Sequence, residues 1–139
     1  MNAVDTNVFV YAFDATEARK QTQAQELLDR LVQRPGETLF LWQVAVEFLS
    51  CLRKWQSAGR FSRTEIEVDF DNALAMFPLR LPTATIFPIS FDMQLRFSLS
   101  HWDSMLLAAA KEAGVAVLYS EDMDAGTDYD GITIVNPFA

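Results

Sequence analysis

Cysteine and histidine are almost absent from the sequence, with one of each among 139 residues, Cys51 and His101. A single cysteine excludes a disulfide framework and is typical of a reducing compartment, so we expect a cytoplasmic location. The two residues are also too few for a tetrahedral Cys/His zinc site. No run of about 18 apolar residues is present, so no membrane partner is expected.

Basic residues are also scarce, since 11 Lys and Arg stand against 19 Asp and Glu, giving a net charge of −8. A protein that coats nucleic acid regardless of its sequence needs a broad basic face, so this class is excluded. An enzyme that acts on nucleic acid through a metal ion is not excluded, because the ion supplies positive charge.

Half of the residues are apolar, and the length indicates one domain over residues 1–139 with a substantial core. Hydrophobic periodicity and capping signals predict alternating elements. The predicted strands are 3–4, 38–42, 85–89, 115–119 and 132–135, and the predicted helices are 17–34 (capped by Thr16), 44–55, 63–77, 91–97 and 105–113. This alternation predicts an α/β fold with an open, mostly parallel sheet and helices on both sides. Residues 6–13 fit either a strand or a helix.

Four acidic residues occupy unusual positions, namely Asp5, Glu47, Asp103 and Asp122. Asp5 and Asp122 follow predicted strands, and ligand sites in open α/β sheets form beyond the carboxyl ends of strands. Glu47 and Asp103 lie near the starts of helices that follow loops on the same edge. Three of them also have a purely structural explanation: Asp103 suits a helix first turn, Glu47 a helix margin and Asp122 a turn. Asp5 is the hardest to explain in this way, because an acid within an apolar strand needs a partner.

If these four carboxylates converge, they require a cation. Two carboxylates about 5 Å apart repel by roughly 3 kcal/mol at an effective dielectric constant of 20. Oxygen ligands favour Mg²⁺, with Mn²⁺ as the alternative, over zinc or copper. Such an ion polarises a phosphate and activates water, so the residues point to phosphodiester hydrolysis.

Five stretches of the sequence resemble the PIN-domain family, specifically the VapC-type ribonuclease toxins of toxin–antitoxin pairs. They are DTNVFVYAFD at 5–14, VAVEFL at 44–49, LSHWDSMLLAAAKEAG at 99–114, LYSEDMDAG at 118–126 and ITIVNPF at 132–138. The resemblance implies a PIN-like three-layer α/β/α sandwich with a mostly parallel central sheet. It also implies that the chain becomes helical directly after Asp5.

The resemblance further implies which residues act in catalysis. It places the catalytic and metal-binding acids at Asp5, Asp103, Glu47 and Asp122, with the first two holding Mg²⁺ most directly. It assigns supporting hydrogen bonds to Thr6, Asn7 and Ser120. The implied activity is endonucleolytic cleavage of RNA by metal-activated water, and the implied partners are an RNA substrate, a cognate antitoxin and a second copy in a homodimer.

The loop 123–131 is acidic and therefore a poor surface for RNA. We expect the earlier basic residues Arg53, Lys54 and Arg60 to guide RNA instead. Two other functions remain open. One is a catalytically silent protein of the same fold that binds RNA or a regulator, and the other is a receiver-like phosphoacceptor, although no Lys follows the late strand at 115–119.

Overall fold

A six-stranded sheet forms the centre of the structure, a computed structural model that describes residues 1–139. The strands are β1 (Asn2–Val4), β2 (Thr38–Leu41), β3 (Leu79–Arg80), β4 (Val117–Tyr119), β5 (Asp128–Tyr129) and β6 (Ile132–Val135). Their spatial order is β3-β2-β1-β4-β6-β5, and every neighbouring pair is parallel except β5 with β6. The predicted α/β fold with a mostly parallel sheet is confirmed.

Six helices connect and cover the strands. They are α1 (Thr6–Ala12), α2 (Ala18–Val32), α3 (Trp42–Ser57), α4 (Arg63–Met76), α5 (Ile86–Phe97) and α6 (His101–Glu112). Helix α1 packs against α2 and α3, and α5 packs against α6. A buried aromatic cluster joins helices to sheet, since the rings of Phe9 and Phe40 stack at 4.6 Å and Phe48 lies beside Phe9. None of the helices has both the length and the apolar character needed to span a membrane.

The segment after Asp5 is helical, as the family resemblance implied. The Asp5 side chain caps α1 by accepting a hydrogen bond from the Thr6 amide at 2.7 Å. Val8, Phe9 and Ala12 then turn one buried face toward the core. This packing outweighs the strand propensity of the β-branched and aromatic residues, which is itself only a weak preference.

Two local predictions are wrong. Residues 85–89 do not form a strand, because α5 begins at Ile86 and holds Pro88 in its first turn, where a missing amide hydrogen breaks no helical bond. Thr16 does not cap α2, because its hydroxyl donates to Asp14 at 2.6 Å. By contrast, α4 begins where it was predicted, at residue 63, with a capping box formed by Ser62 and Glu65.

The order of the strands determines where a site can form. Strands β2 and β3 lie on one side of β1, and the next strand along the chain, β4, lies on the other side. Val4 pairs with Tyr119, so the next residues, Asp5 and Ser120, emerge side by side from adjacent strands. Such a reversal of strand order opens a crevice at the carboxyl edge of the sheet.

Candidate active site

Asp5 lies at the centre of this crevice and is only 6% exposed. Its backbone continues the sheet, because the Asp5 amide donates to the Tyr119 carbonyl at 2.8 Å. One carboxylate oxygen, Oδ1, caps α1, and the other, Oδ2, accepts a hydrogen bond from the Ser120 hydroxyl at 2.7 Å. The start of α1 and the residue that follows β4 therefore hold this carboxylate in one fixed orientation.

Glu47 reaches the crevice from α3. Its Oε2 accepts a hydrogen bond from the Thr6 hydroxyl at 2.8 Å, and its Oε1 accepts one from Gln43 Nε2 at 3.0 Å. Gln43 also donates to the Trp102 carbonyl at 3.1 Å, so it joins the first turns of α3 and α6. Both oxygens of Glu47 are thus positioned by neutral donors.

Asp122 enters from the loop after β4. Its Oδ2 accepts a hydrogen bond from Asn7 Nδ2 at 2.9 Å, and its amide donates to the Ser120 hydroxyl oxygen at 3.1 Å. Because that hydroxyl also donates to Asp5, Ser120 joins two carboxylate-bearing segments. Thr6, Asn7 and Ser120 therefore link Asp5, Glu47 and Asp122 into one network, which we call the acid network.

Asp103 is less closely connected to this network. It lies in the first turn of α6, and its amide donates to the capping Ser100 hydroxyl at 3.2 Å. Its half-buried carboxylate makes no hydrogen bond or ion pair within the protein. The connection to Glu47 runs through the neighbouring Trp102 carbonyl and Gln43. The structure thus links three of the four predicted acids through shared hydrogen-bonding residues, and it connects the fourth to them only through the backbone of its neighbour Trp102.

No basic side chain neutralises these acids. The seven ion pairs of the protein include none of Asp5, Glu47, Asp103 and Asp122. The pKa of Asp5 is raised to about 6, chiefly by burial; the hydrogen bonds from Ser120 and Thr6 lower it, and the negative charges of Asp122 and Glu47 contribute to the rise. Lys20 binds Glu121, the neighbour of Asp122, at 2.6 Å.

The donor chemistry of the acid network fits a hard divalent cation, because it offers carboxylate oxygens without a competing base. The distances do not yet form a cage, however, since no three His, Cys, Asp or Glu side chains lie close enough together to hold a metal ion. Binding an ion would require the carboxylates to move closer together, and each carboxylate oxygen keeps a lone pair for the ion beside the hydrogen bond that it accepts.

The three predicted RNA-binding residues differ in their surroundings. Arg60 is paired with Asp14 at 2.9 Å, and its guanidinium lies 4.6 Å from the centre of the Trp55 ring. Arg53 and Lys54 are exposed on α3 and make no ion pair. Lys54 follows Glu47 by seven residues, which places it on the same helix face about 10 Å further along the axis.

Gln43 is the functional candidate that sequence reasoning missed. It precedes Glu47 by four residues on α3, a spacing at which side chains of a helix meet. That spacing was available in the sequence, whereas its second bond, to Trp102, depends on the packing of α3 beside α6.

Comparison with known proteins agrees with this architecture. The model of the PIN domain family matches residues 3–126. None of the curated proteins matches the chain. A toxin–antitoxin complex from Klebsiella pneumoniae is similar in structure, with a TM-score of 0.67 and 18% identity over 99% of this chain and 98% of that chain.

Two further solved structures share the fold. VapBC2 from Rickettsia felis, bound to a DNA fragment from its promoter, has a TM-score of 0.73 and 12% identity over 96% of each chain. VapC20 from Mycobacterium tuberculosis, a toxin that cleaves the sarcin–ricin loop, has a TM-score of 0.63 and 18% identity over 89% of this chain and 92% of that chain. Because the family model spans most of its length and the structure has a mostly parallel α/β sheet, the chain belongs to the PIN-domain family.

Proposed function

We propose that the protein is a magnesium-dependent endoribonuclease, the toxin of a toxin–antitoxin pair, and that it hydrolyses RNA phosphodiester bonds. The observation that carries this proposal is the acid network, in which Thr6, Asn7 and Ser120 link three carboxylates at the carboxyl edge of the sheet and none of the three has a basic partner. Burying the Asp5 carboxylate without a base is costly for stability, which favours a role in binding a cation.

In this proposal Asp5, Glu47, Asp103 and Asp122 hold Mg²⁺ or, as the alternative, Mn²⁺. The ion would polarise the phosphate and lower the pKa of a bound water. The chain's own contribution is orientation. Ser120 and the α1 amide fix Asp5, Thr6 and Gln43 fix Glu47, and Asn7 fixes Asp122, as outer hydrogen bonds do at many metal sites.

RNA needs cationic contacts outside the acid network. Lys54 suits this role, because it is unpaired and shares a helix face with Glu47. Arg53 lies next to it and faces a groove that also contains Arg63. Arg60 contributes less in this proposal, because Asp14 already neutralises it.

The proposed partners are a cognate antitoxin and a second copy of the chain. Two of the similar structures are complexes of this kind, VapBC2 and the Klebsiella toxin–antitoxin complex, which supports an antitoxin. Helix α5 carries a stripe of exposed apolar residues, Phe87, Phe91 and Leu95, that suits a homodimer contact. The cytoplasm, with its RNA and reducing conditions, is the proposed location.

The proposal is tested by cleavage of a mixture of structured RNAs. We expect the purified protein to cut in Mg²⁺ and to stop cutting in EDTA, and the ends of the products identify the cleaved sequence. Asp5→Asn should slow cleavage at least about 100-fold, since loss of a direct ligand has a larger effect than loss of a group that orients it.

Asp130→Asn provides the matched control, because it removes one aspartate charge outside the acid network and should leave the rate unchanged. Cleavage by Asp5→Asn at the rate of the unmodified protein would contradict the proposal.

Binding without cleavage is the second candidate, and one observation favours it. No three acids form a ready cluster for a metal ion, so the network could persist simply as a hydrogen-bonded structure. A protein of this kind would bind RNA or a regulator equally well in Mg²⁺ and EDTA and would cut in neither. The same assay therefore separates the two candidates.

A further inference from the structure

Two exposed tryptophans border the acid network. Trp42 opens α3 and is 46% exposed, and Trp102 lies in the first turn of α6 and is 64% exposed. Gln43 joins the two turns through its bond to the Trp102 carbonyl. The His101 ring packs edge-to-face against Trp102, with 4.5 Å between ring centres. Both indoles are thus exposed to solvent, and the helix turns that carry them are joined by Gln43.

The indoles line a cleft of about 350 Å³ together with Gln43, Val46 and Glu47. This volume lies within the range of about 300–1,000 Å³ that is usual for small-molecule sites. Glu47 also belongs to the acid network, so the cleft opens directly beside the proposed reaction centre. Whatever occupies the cleft therefore lies next to the proposed substrate's reacting phosphate.

The lining of the cleft selects a base and not a phosphate. None of its residues is Lys or Arg, and Glu47 repels an anion. The indole faces are flat and apolar, and nucleobases stack on such faces whatever their sequence. Gln43 Oε1 makes no hydrogen bond within the protein, so it can accept one from an N–H group on the edge of a base.

We propose that Trp42 and Trp102 hold a nucleobase of the RNA beside the acid network, a role that rests on the proposed ribonuclease function. Stacking then supplies affinity for RNA in a cleft whose lining contains no cationic residue. The two tryptophans select single-stranded RNA, because a base within a duplex cannot expose its faces.

Tryptophan fluorescence tests this placement directly. The protein has three tryptophans, and the third, Trp55, is buried at 9% exposure, so quenching by a stacked base reports chiefly on Trp42 and Trp102. A short single-stranded RNA added in EDTA, where metal-dependent cleavage is absent, should quench the fluorescence. An abasic oligomer with the same backbone should not.

Affinity measurements on variants sharpen the test. Trp42→Ala and Trp102→Ala should each weaken binding of the single-stranded RNA about tenfold, as expected for the loss of one stacked base. Trp102→Phe should restore much of the affinity, because it keeps an aromatic face. Val68→Ala is the control, since it removes an exposed apolar side chain that lies outside both the cleft and the stripe of α5.

Equal binding of the RNA and the abasic oligomer, or unchanged affinity in both alanine variants, would overturn the proposal. So would a Trp102→Ala variant that loses a dimer seen for the unmodified protein by sedimentation, because a second copy would then occupy the cleft. Base-dependent quenching without any cleavage in Mg²⁺ supports the tryptophan site and refutes the nuclease function, so the two failures are distinguishable.

Discussion

Asp5 and Asp130 are the same residue type in opposite surroundings. Asp130 lies in the turn between β5 and β6, where Arg96 and Lys111 bind it at 3.2 and 2.8 Å. Those two hydrogen-bonded bases lower its pKa to about 2. Asp5 is buried without a base, and its pKa rises to about 6. With only 11 basic residues, the protein pairs two of them with an aspartate at the surface and none with the one in the crevice.

The two aspartates therefore affect the stability of the fold in opposite directions. An acid paired with bases is satisfied and stabilises its turn, whereas a buried acid without a base is destabilising until a cation or a proton arrives. The same contrast between a paired group and an available one recurs between Arg60 and Lys54, and the hydroxyls of Thr16 and Thr6 both donate to a carboxylate, the first outside the acid network and the second within it. Each pair provides a variant inside the proposed site and a matched one outside it.

The largest expected effect is on stability in the absence of metal. A proton binds Asp5 below about pH 6 in the folded protein but only below its ordinary pKa of 3.8 in the unfolded chain. The folded state therefore loses stability as pH rises from about 4 to about 6, by roughly 3 kcal/mol. In EDTA at about pH 8, Asp5→Asn removes this buried charge and should therefore raise the free energy of unfolding. We expect a gain of about 2 kcal/mol, smaller than the cost of the charge, because the amide accepts fewer hydrogen bonds than the carboxylate.

Asp130→Asn should have the opposite sign. Its charge contributes stability above its ordinary pKa, and this contribution is lost only as pH falls through about 2. Asparagine tolerates the left-handed backbone at this position, where φ is 54°, so the change tests charge alone. Urea unfolding of both variants at several pH values measures this contrast in the free energy of unfolding. If both variants are less stable than the unmodified protein at about pH 8, the buried charge of Asp5 does not destabilise the fold.

The second effect is stabilisation by metal. If the acid network binds Mg²⁺, the ion should raise the free energy of unfolding by about 2.7 kcal/mol at 100 times its dissociation constant. The melting temperature should rise with Mg²⁺ in Asp130→Asn and should not rise in Asp5→Asn. A rise of equal size in both variants would place the ion elsewhere.

Much of the fold follows from local signals in the sequence. The capping pairs Ser62 with Glu65 and Ser100 with Asp103 mark the starts of α4 and α6, because caps act within one turn. The two-residue strands β3 and β5 carry no such signal, since they are too short to show alternation and depend on pairing with distant strands. The strand predicted at residues 85–89 is wrong because Pro88 is acceptable both in a helix first turn and at a sheet edge.

Part of the candidate site can likewise be predicted from the sequence, and part depends on how distant elements pack. The positions of Asp5 and Asp122 after strands could be deduced from the sequence together with the rule on carboxyl ends. The bond between Asn7 and Asp122 spans 115 residues and depends on β4 lying beside β1. No local pattern encodes that order, and none shows that Asp103 stands apart from the other acids, since this depends on how α6 packs.

A smaller effect is expected from the hydroxyl groups. Thr6→Val removes the donor to Glu47 Oε2 while keeping the shape of the side chain, and it should lower the RNA cleavage rate about tenfold. Thr6→Ser should restore most of the rate. Thr16→Val removes the equivalent donor to Asp14, outside the acid network, and should leave cleavage unchanged. Equal losses in Thr6→Val and Thr16→Val would indicate a general effect on folding and not on the orientation of Glu47.

The smallest effect concerns the two basic residues of the comparison, Lys54 and Arg60. Lys54→Gln should weaken RNA binding a few-fold and reduce the slope of log affinity against log salt concentration by about 0.7, the value for one phosphate contact on a single strand. Arg60→Gln changes the net charge equally, yet it should leave the slope unchanged because Asp14 already pairs with Arg60. Titrations at several salt concentrations in EDTA measure both slopes. Equal reductions would mean that RNA senses only the overall charge of the protein, and the distinction between paired and available cations would then not extend to substrate binding.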